Sequence, residues 1–241
     1  MGKTIISQAR GHGSLTYRVR RKAFSYRIKY PKVEDVEGEV VKLIHSAGHS
    51  APLAKIKIRD EIFYNPAAMG VYEGQKIAIG KSEKLNAGDI VSLKDVPTKT
   101  QVFNIESRPR DGGKFIRTGG TSAVITNNEK GIATLIMPSK QEKAFSGDCR
   151  ATIGVIAGAG RKDKPVVKAG KMFHIKKAKG NFWPRTSAVK VNAIDHPFGS
   201  GRGKNLTHGR LGKIPRTNAP PGAKVGSLRA RRTGRGKGGN K

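Results

Sequence analysis

The sequence predicts a mainly β protein, two small barrels in succession carried between long basic extensions. Three observations predict it. Short runs of alternating or β-branched residues recur through residues 34–160, separated by Gly, Pro and Asn. No long amphipathic helical pattern interrupts them. The charge is also uneven. Residues 34–160 hold 17 basic and 15 acidic residues, residues 1–33 hold nine basic and no acidic one, residues 161–195 hold ten and two, and residues 196–241 hold 12 and none. A near-neutral middle therefore sits between two cationic ends.

The first barrel is expected over residues 34–84. VEGEVVKLIHS (36–46) is rich in Val and Ile, and LAKIKIR (53–59) alternates apolar with basic residues. EIFY (61–64) follows Asp60, and VYEGQKIAIG (71–80) follows a turn placed at Asn65-Pro66. About five strands in so short a stretch suit an OB-like barrel, a fold with nucleic-acid habits. The second barrel is expected over residues 85–160. After a link at LNAGDI (85–90) come IVSLKDV, QVFNIESRP, KFIRTGG, SAVITNN, GIATLIMPS and CRATIGVIAG. Turns are placed at Pro97, Asp111-Gly112-Gly113, Gly119-Gly120, Asn127-Asn128 and Pro138-Ser139. These runs suit an SH3-like barrel. The best helical segment lies beyond both, VVKAGKMFHIKKA at 167–179, with Gly170 weakening it.

The extensions are residues 1–33 and 161–241, and they carry nearly all of the +31 net charge. Self-repulsion of that size destabilises a compact state unless a polyanion neutralises it. No run of 18 apolar residues is present, and the C-terminal extension offers Gly and Pro in place of an amphipathic helix, so a membrane is not the expected partner. A bare cationic chain instead suits a phosphate backbone, which it binds by releasing counterions. A single cysteine excludes a disulfide within the chain and a Cys-based zinc site.

The stretch DHPFGSGRGK (195–204) invites a catalytic reading. Histidine is a common acid–base residue, which draws attention to His196, but Asp195, its neighbour in sequence, points elsewhere on an extended chain. GSGRGK lacks both the Walker spacing and the Lys-Ser or Lys-Thr end, since Asn205 follows Lys204. A dinucleotide loop would need a helix after it, which the downstream sequence does not supply. What remains is glycine that allows close approach to phosphates, with Arg202 and Lys204 supplying charge. His45 and His49 stand four apart, but Gly48 lies between them and no further ligand has matching spacing, so a loop is expected there rather than a metal site. Aromatic residues beside cations, as in Tyr17-Arg18, Tyr26-Arg27, Lys29-Tyr30 and Phe182-Trp183-Pro184-Arg185, suit stacking on unpaired bases. An RNA-processing enzyme would need clustered carboxylates or a nucleophile with its base, and Asp195 is the last acid in the chain. A free translation factor with the same barrels would bind RNA indiscriminately through such tails.

Several long stretches carry a resemblance: SAPLAKI (50–56), DCRATIGVIAGAGR (148–161), DKPVVKAG (163–170), DHPFG (195–199) and KVGSLRARRTGR (224–235). Together they run over essentially the whole chain, which resembles the uL2 family of large-subunit ribosomal proteins. HPFG and FWPR (182–185) are similar to its archaeal and eukaryotic branch. The chain departs from the family in VNAI (191–194), where a Met-Asn-Pro-Val run is usual, and at Ser200 and Arg202 in the glycine run. The resemblance implies an OB-like and an SH3-like domain and no enzyme activity. It implies binding to 23S-type rRNA, other large-subunit proteins as neighbours, contact with the small subunit and with tRNA, and a C-terminal segment reaching toward the peptidyl transferase centre. It implies a cytoplasmic, ribosomal location, and no cofactor beyond Mg²⁺ that accompanies rRNA.

The residues expected to meet RNA follow the charge. In the N-terminal extension they are Arg10, Arg18, Arg20, Arg21 and Arg27. Around the helical segment they are Lys171, Lys176, Lys177 and Lys179, followed by Trp183 and Arg185. In the last segment they are His196, Arg202, Lys204, Arg210, Arg216, Arg229, Arg231, Arg232 and Arg235.

Overall fold

The structure is a computed structural model that describes residues 2–33, 35–80, 84–129, 131–199 and 220–223. Residues 19–181 form one compact unit, and residues 2–18 and 182–199 belong to the other.

The larger unit is built on ten strands: β1 (Val36–Ile44), β2 (Leu53–Ile58), β3 (Glu61–Pro66), β4 (Lys76–Ile79), β5 (Ile90–Ser92), β6 (Gln101–Phe103), β7 (Ala123–Glu129), β8 (Ile132–Ile136), β9 (Glu142–Ser146) and β10 (Arg150–Ile153). They form one hydrogen-bonded ladder in the order β3-β2-β1-β4-β5-β10-β6-β7-β8-β9. Neighbours are antiparallel except β4 and β5, which meet in parallel at Ile79 and Ile90. The alternation read in LAKIKI places Ala54, Ile56 and Ile58 on one inward face of β2. Gly38 on β1 lets that strand close on β2, because a Cβ there would stand 2.9 Å from the Ile56 side chain. The expected mainly β class is thus observed.

Two apolar cores lie along the ladder. One gathers Val40, Ile56, Phe63, Ile77, Ile79 and Ile90. The other gathers Val91, Leu93, Val102, Ile105, Ile125, Leu135, Phe145 and Ala151. Ile90 and Val91 are consecutive on β5, so opposite faces of one strand serve different cores. The central strand β10 is buried throughout.

A polar seam is buried with these cores. Tyr30 donates to the Asn104 carbonyl at 2.7 Å and lies 2.7 Å from the Thr152 hydroxyl. Asn65 donates to Thr152 at 3.0 Å and accepts from Asn104 at 2.8 Å. Glu106 accepts from the Arg150 guanidinium at 2.9 Å and from the backbone N–H groups of Arg110, Gly112 and Arg150. Arg150 also donates to the Pro31 carbonyl at 2.9 Å. Burial first, with the Glu106 charge adding, holds the Tyr30 phenol well above its ordinary range. Residues 19–33 are therefore not a bare arm, since Ala23, Ile28 and Tyr30 are all buried.

Several local expectations are corrected. Asn65-Pro66 is no turn but the end of β3: Asn65 is needed in the seam, and proline is tolerated because β3 is an edge strand. Asn127 and Asn128 lie inside β7, and the reversal falls at Gly131, whose φ is 73°. KFIRTGG is not a strand. It keeps one bridge, Ile105 to Phe115, because Gly112, Gly113 and Ile116 all take positive φ. In its place EKAFS forms β9, polar apart from the inward Phe145. VYEGQKIAIG is extended only over Lys76–Ile79, so the first set has four strands among the described residues. The helical segment is α2 (Ala169–Ala178), with Gly170 in its first turn. The smaller unit holds α1 (Ile6–Gly11), which the sequence reading did not anticipate.

Candidate nucleic-acid interface

In the smaller unit, α1 starts where the Gln8 side chain accepts the Ile5 N–H at 3.2 Å. Lys3 is tied to residues 194–195, with its N–H on the Ile194 carbonyl at 2.9 Å and its ammonium 3.2 Å from Asp195. Phe182 rests 6.0 Å from the Tyr17 ring, and the Trp183-Pro184 peptide bond is cis. These elements enclose a pocket of about 790 Å³. Lys3, Arg10, Arg185 and His196 supply its cationic and donor groups, and Phe182, Pro184 and Val191 its apolar wall.

His196 is half-buried in that wall. Its Nδ1 accepts the Phe198 N–H at 3.0 Å, which places the ring proton on Nε2 in the neutral tautomer. The ring therefore offers a donor. Asp195, whose carboxylate meets Lys3, is not hydrogen-bonded to His196 in any described contact. A catalytic acid–histidine pair is not formed; a donor for a phosphate, a ribose or a base edge is.

In the larger unit, Arg20, Lys22, His174 and Lys177 converge with Ala23, Ala47 and Ala178 on a smaller pocket of about 290 Å³. Helix α2 buries no residue, and its last turn carries Lys176 and Lys177 at the negative end of the helix dipole. Partial burial, and then the like charges of Arg161 and Lys176, lower the affinity of Lys179 for its proton. Cations crowded against one another in this way are relieved by an anion.

The expected residues thus separate by place. Arg10, Arg185 and His196 come together on one pocket, and Arg20 and Lys177 on another. Arg27 lines a third, with Arg117. Arg18, Arg21 and Lys171 are exposed on the surface, Lys176 and Lys179 are half-buried, and Trp183 is half-buried beside the cis proline. Arg202, Lys204, Arg210, Arg216, Arg229, Arg231, Arg232 and Arg235 lie outside the described residues. Sequence reading missed Lys3, His174 and Arg117. The first two carried a weak signal as charge next to an aromatic or apolar run; Arg117 sits in a charge-balanced stretch and carried none. Among the described residues, no group of three or more His, Cys, Asp or Glu is placed to hold a metal ion, and no helix is long and apolar enough to cross a membrane.

These features define a class: a mainly β protein whose surface pockets gather cations and aromatic rings, the chemistry of polyanion binding. The comparisons make it particular. Residues 86–218 match the family model described as Ribosomal Proteins L2, C-terminal domain. The large ribosomal subunit protein uL2 of Archaeoglobus fulgidus is 44% identical over 240 residues, covering 97% of this chain and 99% of that protein. The uL2 proteins of Haloarcula marismortui and Halorubrum lacusprofundi are each 40% identical over 242 residues, covering 98% of this chain and 99% of theirs. The chain belongs to the uL2 family of ribosomal proteins, and to its archaeal type.

Proposed function

We propose that this chain is a structural constituent of the large ribosomal subunit that binds 23S-type rRNA, and that it is not an enzyme. One observation carries the reading. The ten Lys and Arg residues of 161–199 stand against only two acids, Asp163 and Asp195, and two of them, Lys177 and Arg185, line pockets together with His174 and His196. Such a surface is stabilised by phosphates, with rings available to unstacked bases.

Within that reading, residues 34–84 and 85–160 are the OB-like and SH3-like domains; Ile90, early in the second, still packs in the first apolar core, and Val91 opens the other. The basic extensions 1–33 and 161–241 bind RNA, and the C-terminal one reaches toward the peptidyl transferase centre, supporting its architecture, subunit association and tRNA binding. His196 donates from Nε2 to RNA. Arg202, Lys204 and the later arginines neutralise phosphates. No cofactor belongs to the chain itself, and Mg²⁺ arrives with the rRNA. Other large-subunit proteins are its neighbours, in the cytoplasm.

Sedimentation of a native lysate through a sucrose gradient after a high-salt wash tests this. Co-migration of the chain with the large subunit is expected; release to the top of the gradient would overturn it. Chemical footprinting of reconstituted subunits tests the His196 contact, which requires that His196→Ala expose nucleotides near the active centre.

A further inference from the structure

A third pocket takes in the Tyr26-Arg27 pair together with residues distant from it in the sequence. It measures about 560 Å³, within the range of about 300–1,000 Å³ usual for small-ligand sites, and is lined by Phe24, Tyr26, Arg27, Ile28, His49 and Arg117. None of these six is acidic.

Each wall is fixed from behind. Phe24 meets the His49 ring edge-on, with centroids 5.0 Å apart. Gly48 makes that approach feasible, because a Cβ there would stand 2.8 Å from the Phe24 ring. Its N–H donates to the Ala23 carbonyl at 2.8 Å, which pins the loop to the Phe24 segment. His49 is held through Nδ1 by the Ser46 hydroxyl at 2.8 Å. Tyr26 packs on Tyr64 of β3 at 5.0 Å. Arg117 donates from Nε to Asn104 at 2.8 Å, so a member of the buried seam aims its guanidinium. The nearest acid to Arg117 by charge, Asp111, is engaged by Lys114 and by the N–H groups of Ser107, Arg108 and Gly113.

The charge at the pocket remains unbalanced. Burial, and then the Arg117 and Lys179 charges, make His49 harder to protonate. Phe24 stays 45% exposed although it is a large apolar ring. A face that is aromatic and apolar on one side and bears two guanidinium groups is a poor match for duplex RNA, which presents phosphates and keeps its bases stacked. It matches a nucleotide out of the stack, whose base has an apolar π-face and whose phosphate has charge.

We propose that this pocket receives a single unpaired nucleotide of RNA, its base against Phe24 and Tyr26 and its phosphate on Arg27 and Arg117. The proposal rests on the RNA-binding function above and adds to it a selectivity that the cationic extensions lack.

The test uses the full-length chain and two short RNA duplexes, identical except that one carries a single unpaired 2-aminopurine. The bulged duplex should bind about tenfold tighter, and its fluorescence should be quenched as the base stacks on a ring. Phe24→Ala should lose both the preference and the quenching, while Phe24→Trp keeps them. Phe24→Leu, which fills the same space without a ring, keeps the fold and should also lose the quenching. Arg117→Gln should weaken the bulged complex by about three- to tenfold more than it weakens the plain duplex. Equal affinity for the two RNAs, or quenching that survives Phe24→Ala and Phe24→Leu, would overturn this proposal alone, because RNA is still bound. Failure to bind either RNA would overturn the RNA-binding reading and this one together.

Discussion

The two units treat charge in opposite ways. In residues 19–181, Glu106 and Arg150 are buried as a pair, and the surrounding amides, hydroxyls and carbonyls complete one another inside the chain. No buried side-chain nitrogen or oxygen among the described residues lacks a hydrogen bond. In residues 2–18 and 182–199 the ion pair is Lys3 with Asp195, both substantially exposed, and Phe198 is the one buried large side chain among those described. The first region contains what it needs to fold. The second gathers Lys3, Arg10, Arg185 and His196 around one pocket. A buried pair is maintained by its enclosure and an exposed one by little, so the same charge types contribute very differently to the stability of the two regions.

The largest expected effect breaks the enclosed pair. Glu106→Gln leaves Arg150 buried without its counter-charge and should cost about 3–5 kcal/mol in chemical denaturation of the full chain. The same measurement on Lys3→Ala should show about 0–1 kcal/mol. Equal losses from the two would erase the distinction between the units. Next comes the apolar side of the sheet unit. Ile56→Ala, at a fully buried position on β2, should cost about 2–5 kcal/mol. Smaller again in stability, but not in binding, are the pocket cations. Arg10→Ala and Arg185→Ala should each shift unfolding by less than about 0.5 kcal/mol. Each phosphate contact they make should contribute about 0.7–0.9 to the slope of log affinity against log salt, and that amount should disappear. A slope unchanged by both would remove the pocket of the smaller unit from the interface.

What could be read in the sequence follows from range. The β class was legible because alternation in LAKIKI and the Val and Ile enrichment of VEGEVVKLI are local signals. The cationic character of the extensions was legible because net charge requires no fold. The polar seam was not, because Asn65, Asn104, Glu106 and Thr152 are individually ordinary surface residue types until the ladder buries them together. The Asn65-Pro66 turn failed for that reason: a local turn propensity yields when the side chain has a buried partner. EKAFS went unnoticed because β9 is an edge strand with one buried residue and four exposed ones. For the candidate interface, aromatic-cation neighbours such as Tyr26-Arg27 pointed correctly to a pocket wall, whereas Arg117 reached that wall only through tertiary structure.

The smallest effect lies where the two treatments of charge meet, at His49. It is half-buried, and burial followed by the nearby Arg117 and Lys179 lowers its pKa below the ordinary 6.5. Above that value both the folded and the unfolded chain hold it neutral, and it contributes nothing to the pH dependence of stability. As pH falls below 6.5, the unfolded chain takes up the proton first, so stability declines until the folded value is passed and is then constant. Proton NMR titration of the full chain should therefore show one imidazole with a midpoint below 6.5, absent in His49→Asn, whose stability should fall less between neutral and mildly acid pH. A midpoint at or above 6.5 would mean that an anionic group of the chain reaches the pocket, and the cationic surface there would then be neutralised from within, as the Glu106–Arg150 pair is.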